Sequence, residues 1–482
     1  MQPGSLLISL ASAAAVTGIW CWSHYESGRQ RRGAGMENGS GGVEVGSAVS
    51  GATVEAHALL QRQAAGLESR VGELEKENLE LREKLAAALE AAKPPPDPGT
   101  VASRLAKLRE LEFRKVPEWV PTPPDEIVKK LTEARRASLD EGAVKQRVRA
   151  WRAMGFVPDE FDFREASASL AAMKPYGFWD AEAGRFHYQK DASLQRADSR
   201  EQFAAALLPV LLAQNFAPAA QGWDATDNDD AARAALSLIF GDANFTRVRF
   251  SISDQMNTNY DKGQAPPAPP PSYNAPQFMG ETWKWTEDQG NLFVQTLHGS
   301  GGLAAVDAAY GRLPQSTAEI LHADTLYLAN PPFRPAEVAL DRAPVAGKAP
   351  FFSNVAGELA CYFLLRPWAD VDFSTAASEG WKGDRYLVYP GEEGRGDHVL
   401  WRSVWMTAKD AGEFHAALRR ILMQRYSIPW QPEYDVSADH FAVNEPGRAI
   451  RIVRRGEEVT LIDASGVRFA ESLASAFLPA GN

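Results

Sequence analysis

Leucines at heptad spacing, Leu60, Leu67, Leu74 and Leu81, run into a cluster of prolines, and this pairing divides the chain into a leader and a body. With His57, Ala64, Val71, Asn78 and Leu85 at the a positions, the d positions are Leu60, Leu67, Leu74, Leu81 and Ala88. A seam repeating every 3.5 residues is buried only against a partner helix. A lone asparagine at a, Asn78, pairs with its own copy in a parallel dimer, and the flanks agree: Arg70 meets Glu75 of the other strand and Glu77 meets Arg82. The expectation is a coiled coil over 53–92 and a parallel homodimer held by Leu60, Leu67, Val71, Leu74, Asn78, Leu81 and Leu85. Pro94, Pro95, Pro96 and Pro98 stop the helix, because proline lacks a donor and clashes with the preceding turn, so 93–100 reads as a stiff spacer.

Upstream, residues 6–22 read LLISLASAAAVTGIWCW without a charge. As a helix they span about 25 Å, enough for a thin bilayer, with Trp20 and Trp22 at the interface end. The first five residues carry no Lys or Arg, which disfavours a secretory signal, so the expectation is a transmembrane anchor and a single-pass membrane protein. Arg29, Arg31 and Arg32 after the span favour a cytoplasmic body. Residues 23–52, rich in Gly and Ser, read as a flexible linker.

The body, 101–482, is expected to be an α+β domain that is mainly helical. Apolar residues recur at helical spacing in ASRLAKLRELEF, IVKKLTEARRASL and AVKQRVRAWRAM, and REQFAAALLPVLLAQNF reads as an apolar helix kinked or ended by Pro209. YGFWDAEAGRFHYQ reads as a hairpin, and QAPPAPPPSYNAP, 264–276, as an exposed proline-rich loop. Strands are expected at RYLVYP, HVLWRSVWMT, IRIVRR and EEVTLID. Lys plus Arg is 51 against 62 Asp plus Glu, a net charge of −11, which excludes a general nucleic-acid binder. Two cysteines, Cys21 and Cys361, build no disulfide framework, and no P-loop or dinucleotide fingerprint occurs.

The order of several short motifs over roughly residues 105–465 resembles bacterial zinc metallopeptidases of the gluzincin type. The pieces are Tyr176-Gly177-Phe178-Trp179-Asp180, then Leu211-Leu212-Ala213-Gln214-Asn215-Phe216, Phe240-Gly241-Asp242-Ala243, Gly301 to Tyr310, Pro314 to His322, and Gly380-Trp381-Lys382-Gly383-Asp384-Arg385-Tyr386. The resemblance implies a gluzincin-like body, a cleft that holds an extended peptide, and an extracytoplasmic location.

The departures bear on function. At the positions of that family's HExxH stand Ala205-Ala206-Leu207-Leu208-Pro209, and Phe240 replaces the later glutamate ligand. Such a site needs two imidazoles at i and i+4, a third ligand and a carboxylate base. No two of the eight histidines lie within five residues of each other, so the chain holds no HxxxH. No metal, cofactor or catalytic residue is therefore expected. Asp242 and His322 match non-ligand positions and read as structural hydrogen-bonding groups, while Asp384 and Arg385 read as either a buried or an exposed ion pair. The sequence points to a pseudo-metallopeptidase that binds or scaffolds a peptide or protein. The alternatives are an enzyme with a site built differently from Asp242, His322 and Asp384, and a structural envelope spacer.

Overall fold

Asp97 opens the first helix of the body. Its carboxylate accepts from the Thr100 N–H at 2.7 Å, and Pro98 takes the first helical position, where the lost donor has no intrahelical partner anyway. This helix takes in Pro98, Gly99 and Thr100 ahead of Val101. The computed structural model describes residues 66–67, 69–85, 97–138, 140–161, 163, 176–216, 227–257, 277–392 and 395–478. The expected anchor at 6–22, the linker at 23–52, Leu60 and the loop at 264–276 lie outside them.

Helix α1 (Pro98–Arg109) is followed by β1 (Glu118–Thr122), α2 (Pro124–Ser138), α3 (Glu141–Met154) and the expected hairpin, β2 (Gly177–Asp180) with β3 (Arg185–Gln189). The hairpin turns at Gly184, whose φ of 68° glycine adopts without penalty. β1 pairs parallel with β3, making a three-stranded sheet of order β1-β3-β2 in which Pro121 sits on an edge strand.

Three long helices form the helical half: α4 (Ala197–Phe216), α5 (Asp229–Asn257) and α6 (Gln277–Gly311). Pro209 does not end α4, which runs on to Phe216. The residues from Phe203 to Leu212 are all buried, and packing on every side outweighs the one backbone bond that proline removes. Helices α5 and α6 cross backbone to backbone: a Cβ on Gly241 would lie 2.0 Å from the Gly290 carbonyl oxygen. α6 bends at Gly301 and Gly302, and a short α7 (Thr317–Leu321) with a π-helical turn at Ala323–Tyr327 leads out of this half.

The remaining chain builds β4 (Phe352–Asn354), α8 (Gly357–Leu365), α9 (Val371–Ser378), β5 (Trp381–Tyr389), β6 (His398–Trp405), α10 (Ala408–Arg425), β7 (Asp435–Ser437), β8 (His440–Glu445), β9 (Arg448–Arg455), β10 (Glu458–Ala464) and α11 (Val467–Phe477). The strands form one seven-stranded antiparallel sheet of order β4-β5-β6-β10-β9-β8-β7. One face packs Trp381, Trp401 and Trp405 against Phe414 and Leu418 of α10, with α3 and α8 alongside. The other face packs Leu387, Leu400 and Ile462 against Phe469 and Leu473 of α11.

Two expectations are corrected here. The body is a mixture of helix and a large antiparallel sheet, not a mainly helical fold. Among the described residues no helix is long and apolar enough to cross a membrane, so the single-pass reading of the chain is not carried forward.

Candidate binding cleft

The positions that would hold zinc in the resembled family are filled with hydrocarbon. Ala205, Ala206 and Pro209 on α4 and Phe240 on α5 are all buried, and Ala206, Leu207, Leu208 and Phe240 belong to the apolar core of the helical half. None of these side chains carries an atom able to coordinate a metal. Among the described residues no group of three or more His, Cys, Asp or Glu side chains is placed to hold a metal ion.

Within this half lies a buried charged network whose members stand far apart in the chain. Asp242 on α5 accepts two bonds from Arg109 of α1, Nε to Oδ1 at 2.8 Å and Nη2 to Oδ2 at 2.9 Å, and both residues are fully buried. Thr246 donates to Oδ1 at 3.2 Å, and the Tyr310 hydroxyl donates to Oδ2 at 2.9 Å. Arg109 also reaches Asp307 at 2.6 Å. A planar guanidinium pairs a carboxylate in this forked manner, and Asp242 ties α1, α5 and α6 together through Arg109, Thr246 and Tyr310. The Tyr310 ring, fixed by this bond, stacks on Phe216 at 4.1 Å between centroids and 3° between planes.

The Gly-Trp-Lys-Gly-Asp-Arg-Tyr motif resolves into separate tasks at the start of β5. Asp384 is buried, and its carboxylate accepts four N–H groups: Gly357 at 3.0 Å and Trp381 Nε1 at 3.1 Å on Oδ1, Ala356 at 3.0 Å and Trp401 Nε1 at 2.7 Å on Oδ2. Two of the donors open α8, where a negative charge also meets the positive end of the helix dipole. Arg385 points elsewhere and donates to Asp227, to its carbonyl at 3.1 Å and its carboxylate at 3.2 Å. Asp384 and Arg385 therefore form no ion pair of either expected kind, because neighbouring strand residues face opposite sides of the sheet. Gly383 has its own reason: a Cβ there would lie 2.3 Å from the Ala336 carbonyl oxygen of the loop that crosses β5.

Two further buried acids join the halves. Asp230 at the start of α5 accepts from Thr317 of α7, from the backbone N–H at 3.1 Å and the hydroxyl at 2.5 Å. It also presses against Gly357, whose φ is 83° and whose missing Cβ leaves room for the carboxylate. Burial pushes Asp230 up to about 8, with the nearby Asp384 charge adding to the shift. His322 bonds Glu358 of α8 through Nε2 at 2.8 Å, and this bond raises the imidazole above its usual range, while burial raises Glu358 itself. Asp242 thus sits between α1, α5 and α6, whereas Asp384 and His322 both meet the start of α8, Asp384 through backbone N–H groups and His322 through the Glu358 carboxylate.

Between the helical half and the sheet lies an open cleft of about 840 Å³, a size typical of ligand sites. One wall is the Phe216–Tyr310 stack with Arg312 and Glu319, and the opposite wall is Trp381, Asp384 and Arg385. The lip is the Pro332-Phe333-Arg334-Pro335 segment. It is pinned at both ends, Phe333 N–H to the Leu326 carbonyl at 3.1 Å and Ala336 N–H to the Lys382 carbonyl at 2.8 Å. β4 ends at Asn354 opposite Tyr386, so β5 before Tyr386 has no strand on that side and the lip runs there instead. Among the described residues Arg334 has no partner and is exposed. Arg312 donates to the Tyr327 carbonyl at 2.5 Å and lies 3.7 Å over its ring. Arg109, Arg312 and Arg334 carry no motif that marks them as site residues, and Tyr310 and Glu319 stand only as members of longer motifs. An arginine inside a proline run was the one local signal, since Pro-Pro-Phe-Arg-Pro cannot pack as a helix and leaves its cation outward.

On the helix at 66–85, Leu67, Val71, Leu74, Leu81 and Leu85 are between 48% and 67% exposed, and Asn78 is exposed with them. Cys361 is free and fully buried, as its apolar surroundings in the sequence suggest.

Residues 348–474 match a family described as a domain of unknown function (DUF8575), a stretch that runs from just before β4 into α11 and so takes in the seven-stranded sheet. No curated protein and no solved structure matches the chain.

Proposed function

We propose that the chain is a non-hydrolytic binding module on a metallopeptidase-like body, paired with a second copy through the parallel coiled coil at 53–92. The observation that carries this reading is a contrast: Ala205, Ala206, Pro209 and Phe240, at the positions to which the resemblance assigns zinc and its base, are packed as hydrocarbon, whereas a cleft of about 840 Å³ lined by other residues stays open to solvent. A hydrolase of that class works through a metal-bound water and a carboxylate, and hydrocarbon at those positions supplies neither. The aromatic wall and the proline-stiffened lip give an extended peptide apolar surface to lie against. The exposed seam from Leu67 to Leu85 supports the pairing, because a leucine stripe of this length stays soluble only when covered.

The reading is tested by incubating the full chain with a broad peptide library and analysing both the retained and the remaining peptides by mass spectrometry. Retention of intact peptides is the expected result. Cleavage products that track with the purified protein would overturn it.

A further inference from the structure

We infer that the cleft takes a carboxylate, presented by a peptide next to an apolar side chain, and that Arg334 reads it. This inference rests on the binding reading above and names its ligand class. Three arginines line the cleft, Arg312, Arg334 and Arg385, together with three acids, Glu319, Glu337 and Asp384. Two of the acids are already engaged: Asp384 holds four N–H donors, and Glu319 accepts the Gln315 N–H at 2.5 Å, close enough to Arg312 to feel its charge, while Glu337 stands exposed to solvent three residues beyond Arg334.

The arginines are committed less fully. Arg312 is held by a carbonyl and an aromatic ring, neither of which carries a charge, and Arg334 is held by nothing among the described residues. Arg385 already demonstrates the chemistry, since together with Arg342 it grips the Asp227 carboxylate at the rim, at 3.2 Å and 3.1 Å. An arginine on a proline-stiffened lip gives up little conformational freedom in its backbone on binding, and its forked donors match a carboxylate. Partly exposed Phe216, Leu313 and Phe333 line the same cleft and offer apolar contact to the neighbouring side chain.

The test uses the full chain and three probes: N-acetyl-phenylalanine, its amide, and N-acetyl-aspartyl-phenylalanine amide. Binding is read by calorimetry in wild type and Arg334→Gln. At least one of the two acids is expected to bind at least about tenfold tighter than N-acetyl-phenylalanine amide, and Arg334→Gln is expected to remove that advantage without changing the melting temperature. Preference for the first acid assigns a peptide C-terminus, and preference for the third probe assigns an acidic side chain. Equal binding of acid and amide, no binding of either acid, or an advantage that survives in Arg334→Gln overturns the inference. None of those outcomes bears on hydrolysis, which is read separately by the library experiment.

Discussion

Asp384 shows how much of this protein rests on single buried acids. Its two oxygens each hold one backbone and one indole N–H, so in Asp384→Asn either orientation of the amide turns an NH2 toward two buried donors. Two unsatisfied donors at about 1–3 kcal/mol each predict a loss of about 2–6 kcal/mol, measured by denaturant unfolding. Asp230 predicts a pH effect of definite sign. Its ordinary value of 3.8 is raised to about 8 by burial, so the folded chain binds a proton that the unfolded chain has released. Stability from this group is greatest below about pH 4, falls as pH rises, and is fully lost above about pH 8. Asparagine resembles the protonated acid, so between pH 6 and pH 9 Asp230→Asn should lose less stability than wild type, and parallel curves would contradict the assignment. The sequence marked Asp242, His322, Asp384 and Arg385 as notable without giving their partners. Several of those partners lie far along the chain, Gly357 at 27 positions from Asp384 and Asp227 at 158 from Arg385, and no local spacing encodes such pairings.

The long amphipathic and apolar helices and the hairpins were legible, because their periodicity extends over many residues. β2 with β3 and the β9–β10 turn at Gly456 lie where the turn chemistry placed them. β4 and β7 are three residues each, too short for an alternating pattern to register, and without them and β8 the sheet loses its edges and reads as a few isolated strands. Pro209 follows the same logic: a proline favours a helix end locally, but burial on all sides of α4 carries the helix on to Phe216. The seam at 66–85 makes its own prediction. Cross-linking and light scattering of the full chain should give a dimer, Leu74→Glu with Leu81→Glu should give a monomer with an unchanged body melting temperature, and Asn78→Leu should change the oligomer number. A monomeric wild type would refute the pairing.

At the scale of the whole molecule, the helical half and the sheet are joined where α5, α7 and α8 meet, through Asp230, Thr317 and Gly357, and the cleft opens beside that joint. The cleft stays open while Ala205, Ala206, Pro209 and Phe240 offer only hydrocarbon, and this contrast is what supports the proposed binding without hydrolysis. The most direct test is the zinc content of the purified full chain after equilibration with the metal and desalting. The account predicts a value near zero, because Ala205, Ala206, Pro209 and Phe240 offer no ligand atoms. A value near one zinc per chain would mean that other side chains converge on a metal, and it would contradict the account.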